Sequence, residues 1–218
     1  MMTELTAADG HKLDCWIEEP EDAPKGGIVI LQEIFGVTDQ LKGVAKAYAA
    51  LGYVVAIPAL FDRQKKGAVI PFDKGAEGRD LMLASDTEKV MLDAGAAVAA
   101  LADRGLKVGV IGFCWGGGLA LRTAQKLDVA AAVSFYGTRL QQYLDSPAKA
   151  PVQFHCGTQD DHTPADVMEE VKAYLPEVEV YWYEAGHAFA NDARASYVQD
   201  AAETAHARAQ EFLSTHLA

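Results

Sequence analysis

The stretch that best indicates the fold of this chain is Ile111-Gly112-Phe113-Cys114-Trp115-Gly116-Gly117-Gly118. The apolar run at residues 108–112 predicts a buried strand, and a helix is predicted to begin near Trp115. A tight strand-to-helix turn brings two backbones close together, so it needs small residues on both sides of its tip. The pattern predicts that Cys114 stands at this tip as a nucleophile. The positive end of the helix dipole would favour its thiolate.

A structural turn is the alternative interpretation of the same stretch, with Cys114 as an ordinary buried cysteine. Glycines before a helix can also cradle a phosphate group. However, the run from Gly112 to Gly118 does not match G-x-G-x-x-G in phase, and it lacks the Gly-Lys-Ser/Thr of a P-loop. The nucleophile interpretation is therefore favoured over a phosphate or dinucleotide site.

Short apolar runs alternate with amphipathic helical stretches along the rest of the chain. Buried strands separated by helices are typical of a mostly parallel central sheet with helices on both faces, and we expect one α/β domain over residues 1–218. The loop at 61–78 is too long for a plain connection, and such loops often carry function. After a hairpin at 3–18, strands are predicted at 27–31, 53–58, 108–112, 129–136, 152–156 and 178–183, and helices at 39–51, 79–102, from near 115, from near 164 and at 195–217.

Composition restricts the class of partner. The 218 residues carry a formal net charge of −12, which argues against nucleic acid and anionic membrane surfaces, because phosphate binding needs a positive field. The three cysteines have no zinc spacing, and no apolar stretch approaches the roughly 20 residues of a membrane span. We expect a cytoplasmic protein with free thiols that acts on a small molecule, as a monomer or a weak homo-oligomer.

Candidate partners for Cys114 follow two later strands. Asp160 and Asp161 lie after the strand at 152–156, and His187 follows the strand at 178–183. Because the carboxyl ends of parallel strands meet at one edge of a sheet, these side chains are expected together. The order nucleophile, acid, histidine is that of the α/β-hydrolase fold. Position alone does not separate Asp160 from Asp161, since one of them could simply cap a helix.

The other histidines are weaker candidates for the base. His162 lies in the same loop as Asp160 and Asp161, where it either has no part in catalysis or contacts the substrate. His155 lies inside a strand and is predicted in the core. The remaining three histidines lie in the terminal segments and are expected on the surface: His11, His206 and His216.

Four segments of the chain resemble the dienelactone hydrolase family of α/β-hydrolases, in the same order. The resemblance extends from about Gly26 to the final helix and selects Asp160, rather than Asp161, as the acid. It implies an α/β-hydrolase fold and a triad of Cys114, Asp160 and His187. The four segments are Gln32-Glu33-Ile34-Phe35-Gly36, Gly112-Phe113-Cys114-Trp115-Gly116-Gly117, Gly157-Thr158-Gln159-Asp160 and Gly186-His187-Ala188-Phe189.

The family hydrolyses dienelactone, an unsaturated cyclic ester from chloroaromatic breakdown, to maleylacetate, without a metal or organic cofactor. The resemblance implies that Glu33 helps to generate the thiolate. It also implies that the backbone N–H groups of Ile34 and Trp115 form an oxyanion hole. Substrate contacts are expected from Phe35, Arg63 and Asn191.

The chain departs from the family just after the histidine. Ala188 stands where the family has a serine, and Asn191 stands where it has a second arginine, so part of the substrate carboxylate clamp is missing. Arg63 matches the first arginine of the family. The alternative interpretation is that Arg63 is a solvated residue in a mobile loop without a substrate role. The predicted reaction is hydrolysis of a small ester or lactone. The alternatives are a general carboxylesterase or thioesterase and, more distantly, a non-catalytic binding protein.

Overall fold

The computed structural model describes residues 1–218 as two compact units, one formed by residues 1–109 with 217–218 and the other by residues 110–216. The strands are β1 (Met2–Thr6), β2 (Lys12–Glu18), β3 (Gly26–Leu31), β4 (Tyr53–Pro58), β5 (Val108–Phe113), β6 (Ala131–Phe135), β7 (Val152–Gly157) and β8 (Glu179–Tyr183). The helices are α1 (Asp39–Ala50), α2 (Gly75–Ala84), α3 (Thr87–Ala102), α4 (Trp115–Lys126), α5 (Ala165–Tyr174) and α6 (Gln199–Leu217). The sheet order is β1-β2-β4-β3-β5-β6-β7-β8.

In the first unit, β1 and β2 form the predicted antiparallel hairpin, which turns through Gly10 at a φ of 85°. β2 then pairs antiparallel with β4, and β4 pairs parallel with β3. Every residue of β3 and β4 is buried, as their continuous apolar runs predict. The predicted hairpin and the two strands that follow it are therefore confirmed.

The predicted single helix at 79–102 is wrong, because the structure has two helices there. α2 ends at Ala84, Ser85 has an extended backbone, and α3 begins at Thr87. The Asp86 carboxylate accepts hydrogen bonds from the N–H groups of Glu88 and Lys89, at 3.0 and 3.4 Å. An aspartate in this position satisfies amides that have no partner inside the helix, so it favours a new helix start over continuation.

In the second unit, β6, β7 and β8 pair in parallel. α4 is buried along its whole length except at Lys126, which suits a helix of small and apolar residues. The last helix begins at Gln199, four residues later than the sequence predicts. With antiparallel pairing confined to the β1–β2 and β2–β4 pairs described above, the predicted α/β class with a mostly parallel sheet is confirmed.

Two histidines of the second unit, His155 and His206, lie among aromatic rings. His155 is fully buried, and its ring nitrogens lie 2.8 Å from the Tyr183 hydroxyl and 2.9 Å from the Gln153 side-chain oxygen. His206, which was expected on the surface, is only partly exposed, and its ring centroid lies 4.7 Å from that of Phe135. Burial lowers the pKa of both, to about 3 for His155 and about 4 for His206. Both therefore act as neutral packing residues.

None of the six helices combines the length and the apolar character that crossing a bilayer requires.

The turn after β3 is held by the long loop that precedes α2. The N–H of Ile70 donates to the carbonyl oxygen of Phe35 at 2.9 Å, and Gly36 forms an isolated antiparallel bridge with Val69. Gly36 has a φ of 81°, and a Cβ atom there would overlap with the carbonyl oxygen of Ala68. This position therefore requires glycine both for its backbone conformation and for the close approach of the loop.

Gly36→Ala is expected to lower the free energy of unfolding more than Gly10→Ala. Both positions have left-handed backbones, so both variants lose about 1–2 kcal/mol. Only Gly36 is crowded, since a Cβ at Gly10 would meet nothing within 4 Å, and overpacking adds about 1–3 kcal/mol. Urea unfolding of the two variants measures the difference, and equal losses would contradict the role given to the loop contact.

Candidate active site

Cys114 stands on a strained turn between β5 and α4. Its φ of 54° and ψ of −115° lie in a region that side chains rarely adopt, which costs about 1–3 kcal/mol. A Cβ atom at Gly112 would overlap with the carbonyl oxygen of Gly116, so both backbones meet behind the cysteine. The Cys114 N–H donates to Phe135, and its carbonyl oxygen accepts from the Thr138 N–H, each at 3.0 Å. These contacts hold the turn that presents the thiol.

Cys114 is the partly exposed thiol of the three, while Cys15 and Cys156 are buried. Burial raises the pKa of each buried thiol to about 12, which keeps both protonated at neutral pH. A thiol must be ionised and accessible to attack a carbonyl group. Cys114 is therefore the cysteine suited to nucleophilic chemistry.

Asp160 and His187 are in direct contact. The Oδ2 atom of Asp160 lies 2.8 Å from the Nδ1 atom of His187. The other carboxylate oxygen accepts a hydrogen bond of 2.8 Å from the His162 N–H. Asp160 is only 4% exposed, whereas Asp161 points into solvent. The structure thus places Asp160, and not Asp161, against the imidazole.

Backbone hydrogen bonds connect the loop after β7, which carries Asp160, to the loop after β8, which carries His187. The Thr158 N–H donates to Tyr183 at 2.8 Å, and the Gln159 N–H donates to Ala185 at 3.0 Å. A Cβ atom at Gly157 would overlap with the carbonyl oxygen of Ala185, so only glycine allows this approach. The loops follow the paired strands β7 and β8, which is why two residues distant in sequence meet.

The charges of the site favour a protonated His187. Burial disfavours the charged imidazole, but its hydrogen bonds to Asp160 and to the Cys114 side chain outweigh burial and raise the pKa of His187 to about 10. Burial also acts against the Asp160 carboxylate, and the contact with His187 overcomes it, so the pKa of Asp160 is lowered. At neutral pH the arrangement therefore supports an imidazolium at His187 beside an ionised Asp160.

Tyr136 is a site residue that the sequence analysis missed. It follows β6, is buried, and has a φ of 38°, which is rare for a bulky residue. Its ring centroid lies 5.3 Å from that of His187 in an edge-to-face arrangement. No local pattern marks this residue, because the contact depends on how the ends of neighbouring strands come together.

Glu33, Ile34 and Phe35 follow β3 in the first unit. Glu33 is 6% exposed, and Phe35 is buried, with its ring centroid 4.9 Å from that of Phe72 in an edge-to-face arrangement. Ile34 is partly exposed, and Gly78 of α2 packs so closely on its carbonyl group that a Cβ there would overlap with it. The backbone of this segment is therefore held from two sides, by the long loop and by α2.

Arg63 does not present a free cation. Its Nη1 and Nη2 atoms donate to Asp9 at 2.8 and 3.0 Å, and its Nε and Nη2 atoms donate to Asp93 at 2.8 and 2.7 Å. Asp93 is fully buried in α3, and its burial raises the pKa of the carboxyl group despite the arginine. A substrate carboxylate would have to compete with Asp9 and Asp93 for the guanidinium group. The substrate role of Arg63 therefore stays a prediction.

Asn191 is part of a tight turn after His187. It is 2% exposed, its side-chain oxygen accepts a hydrogen bond of 3.1 Å from the Ala193 N–H, and its own N–H donates to Ala188 at 3.0 Å. Ala188 itself has a φ of 61°. These contacts give Asn191 a role in shaping the loop, and its predicted contact with a substrate stays a prediction.

Comparisons with known proteins identify the family of this chain. The model of the dienelactone hydrolase family matches residues 13–217. A carboxymethylenebutenolidase from Pseudomonas putida is 35% identical over 229 residues, which cover 98% of this chain and 97% of that protein. A crystal structure from Klebsiella pneumoniae subsp. pneumoniae MGH 78578, whose name also refers to dienelactone hydrolase, has a TM-score of 0.86 and 25% identity, with 98% of each chain covered. The esterase Pf2001 of Pyrococcus furiosus shares the fold, with a TM-score of 0.76 and 18% identity over 100% of this chain and 93% of its own. This chain has the α/β-hydrolase fold and belongs to the dienelactone hydrolase family of hydrolase enzymes.

Proposed function

We propose that this enzyme hydrolyses a small ester or lactone of the dienelactone type through an acyl-enzyme on Cys114. The observation that supports the proposal is the accessible thiol on a strained turn, beside a histidine held 2.8 Å from a buried carboxylate. A nucleophile, a base and a residue that orients the base are the parts that covalent hydrolysis needs. No step of this chemistry requires a cofactor.

In the proposed reaction, the Cys114 thiolate attacks the carbonyl carbon, and the carbonyl electron pair moves onto oxygen. The tetrahedral intermediate collapses, the ester C–O bond breaks, and the leaving oxygen takes a proton from His187. Water then attacks the thioester while neutral His187 accepts its proton, and the C–S bond breaks to release the acid and the thiolate. Asp160 holds the ring in place and stabilises its charged form in both steps.

The oxyanion is proposed to accept hydrogen bonds from the backbone N–H groups of Ile34 and Trp115. Trp115 is the first residue of α4, where amides point out of the helix end and favour negative charge. Ile34 lies in the segment that Gly78 and the long loop hold in place. One such donor typically contributes about 3 kcal/mol to the stability of the transition state.

Glu33 is proposed to assist formation of the Cys114 thiolate. A buried carboxylate is costly unless it is paired or hydrogen-bonded, so the Glu33 side chain is expected to be held by partners at the end of β3. The resemblance to the family supplies the proposed function, and the burial of Glu33 is consistent with it.

The substrate class rests on the relatives and on the charges of the candidate substrate residues. The name of the Pseudomonas putida relative supports a lactone such as carboxymethylenebutenolide, with Phe35 as an apolar contact. The second candidate is a general carboxylesterase. It is favoured by the two ion pairs of Arg63 and by the absence of a charge at Asn191, since a neutral ester needs no cation. We place either activity in the cytoplasm, where free thiols persist.

Cys114→Ala is expected to abolish ester hydrolysis, because it removes the atom that forms the acyl-enzyme. Cys156→Ala is the control, since that thiol is buried and protonated and its loss should leave kcat nearly unchanged. Release of acid from small lactones and esters is followed in a pH-stat. Near-normal turnover in Cys114→Ala would mean that the proposed mechanism is wrong.

The alkaline limb of kcat/KM for an alkyl ester is expected near pH 10, because the reaction needs protonated His187 and its pKa is raised to about 10. The imidazolium is present at neutral pH and is lost only as the pH rises through that value. Asp160→Asn removes the anion that raises this pKa, so the limb should move toward lower pH. Asp161→Asn is the matched control, and an equal shift in both variants would remove Asp160 from its proposed role.

Arg63→Met is expected to lower the free energy of unfolding by about 3 kcal/mol, since it leaves the buried Asp93 without its cation. The activity on two esters, alike except for a carboxylate, separates the structural role from the substrate role. We expect kcat/KM to change equally for both. A loss of roughly tenfold or more for the acidic ester alone would restore Arg63 as the substrate cation.

A further inference from the structure

His162 is a second histidine in contact with the proposed base. Its ring centroid lies 4.5 Å from that of His187, with an angle of 61° between the ring planes. Tyr136 makes another edge-to-face contact with the same ring, at 5.3 Å and 67°. His187 is therefore touched by two rings as well as by the carboxylate of Asp160.

The backbone of His162 is anchored although its side chain is exposed. Its N–H donates to Oδ1 of Asp160 at 2.8 Å, and Asp160 holds His187 through its other oxygen. The next residue, Thr163, is buried, and its hydroxyl donates to the carbonyl oxygen of Gly137 at 2.6 Å. The ring is thus carried by a fixed backbone that is already bonded to the proposed acid.

The hydrogen bond to Asp160 does not by itself fix the plane of the His187 ring. The torsion that turns a histidine ring about its last bond has broad minima, and one contact at Nδ1 leaves room for tilting. Attack by Cys114 requires that Nε2 stays directed at the sulfur atom. Rings packed edge to face restrict tilting, and such pairs contribute enough to change an equilibrium roughly two- to tenfold.

We propose that His162 is a positioning residue whose ring holds the His187 imidazole in the plane that serves both Asp160 and Cys114. This rests on the proposed function. The ring acts through its edge-to-face packing against the imidazole.

The test compares His162→Ala with His162→Phe, which keeps a ring but removes both nitrogens. In His162→Ala we expect kcat for a small ester to fall roughly three- to tenfold while KM stays within about twofold. His162→Phe should keep at least about half of the wild-type kcat. Asp161→Ala, a change at an exposed neighbour, is the control and should match the wild type.

Alkylation of Cys114 by iodoacetamide is the second measurement, and it needs no turnover. Misorientation of His187 weakens the thiolate–imidazolium pair, so His162→Ala should change the pH profile of alkylation, and His162→Phe should restore it. A purely structural role would change the thermal unfolding temperature and leave this profile as in the wild type.

Two results would overturn the proposal: wild-type kcat and alkylation in His162→Ala, or equal impairment in His162→Ala and His162→Phe. Failure of the proposed function looks different. In that case Cys114→Ala would retain the ester turnover of the wild type, while the alkylation comparison would still report on the contact between His162 and His187.

Discussion

The close approach of β5 to α4 is the constraint on which the site depends. The absence of a side chain at Gly112 lets β5 meet the Gly116 carbonyl group of α4, and the chain between them turns through the strained conformation of Cys114. Hydrogen bonds from the turn to Phe135 and Thr138 compensate for part of the strain. A thiol on such a turn stays accessible, although the strand before it and the helix after it are buried. Accessibility is what distinguishes Cys114 from the other two cysteines.

The second requirement is a charge balance around one imidazole. Asp160 is buried, so its carboxylate is stable only with partners, and it has two, the His187 ring and the His162 amide. The same contacts hold the proton on His187 at neutral pH. Removing either loop from its place would therefore disturb charge and geometry together. The backbone bonds between the loops after β7 and β8 are accordingly part of the site.

Sequence reasoning succeeded where local pattern and topology determine the outcome. The glycines around Cys114 follow from steric demands. Two parallel strands that end at one edge bring the loop of Asp160 and Asp161 to His187, and the choice of Asp160 came from the resemblance to the family. It failed where distant residues decide. It also failed at Asp86, where a local signal, a capping aspartate inside a helical pattern, ends one helix and starts the next. The partners of Arg63 and the ring contacts of Tyr136 and His206 arise from tertiary packing, which no spacing in the sequence records.

Arg63 illustrates how the partners of a cation limit what else it can bind. A guanidinium that contacts one carboxylate can still attract a second one from a substrate. Here it already contacts two, Asp9 and Asp93, and the group of three charges sums to −1. An approaching carboxylate would meet repulsion unless Asp9, the more exposed partner, moved away. Asn191 supplies no charge either, and this is the argument for the second proposed activity, a general carboxylesterase. We therefore propose that the partners of this arginine decide between an acidic lactone and a neutral ester as the substrate.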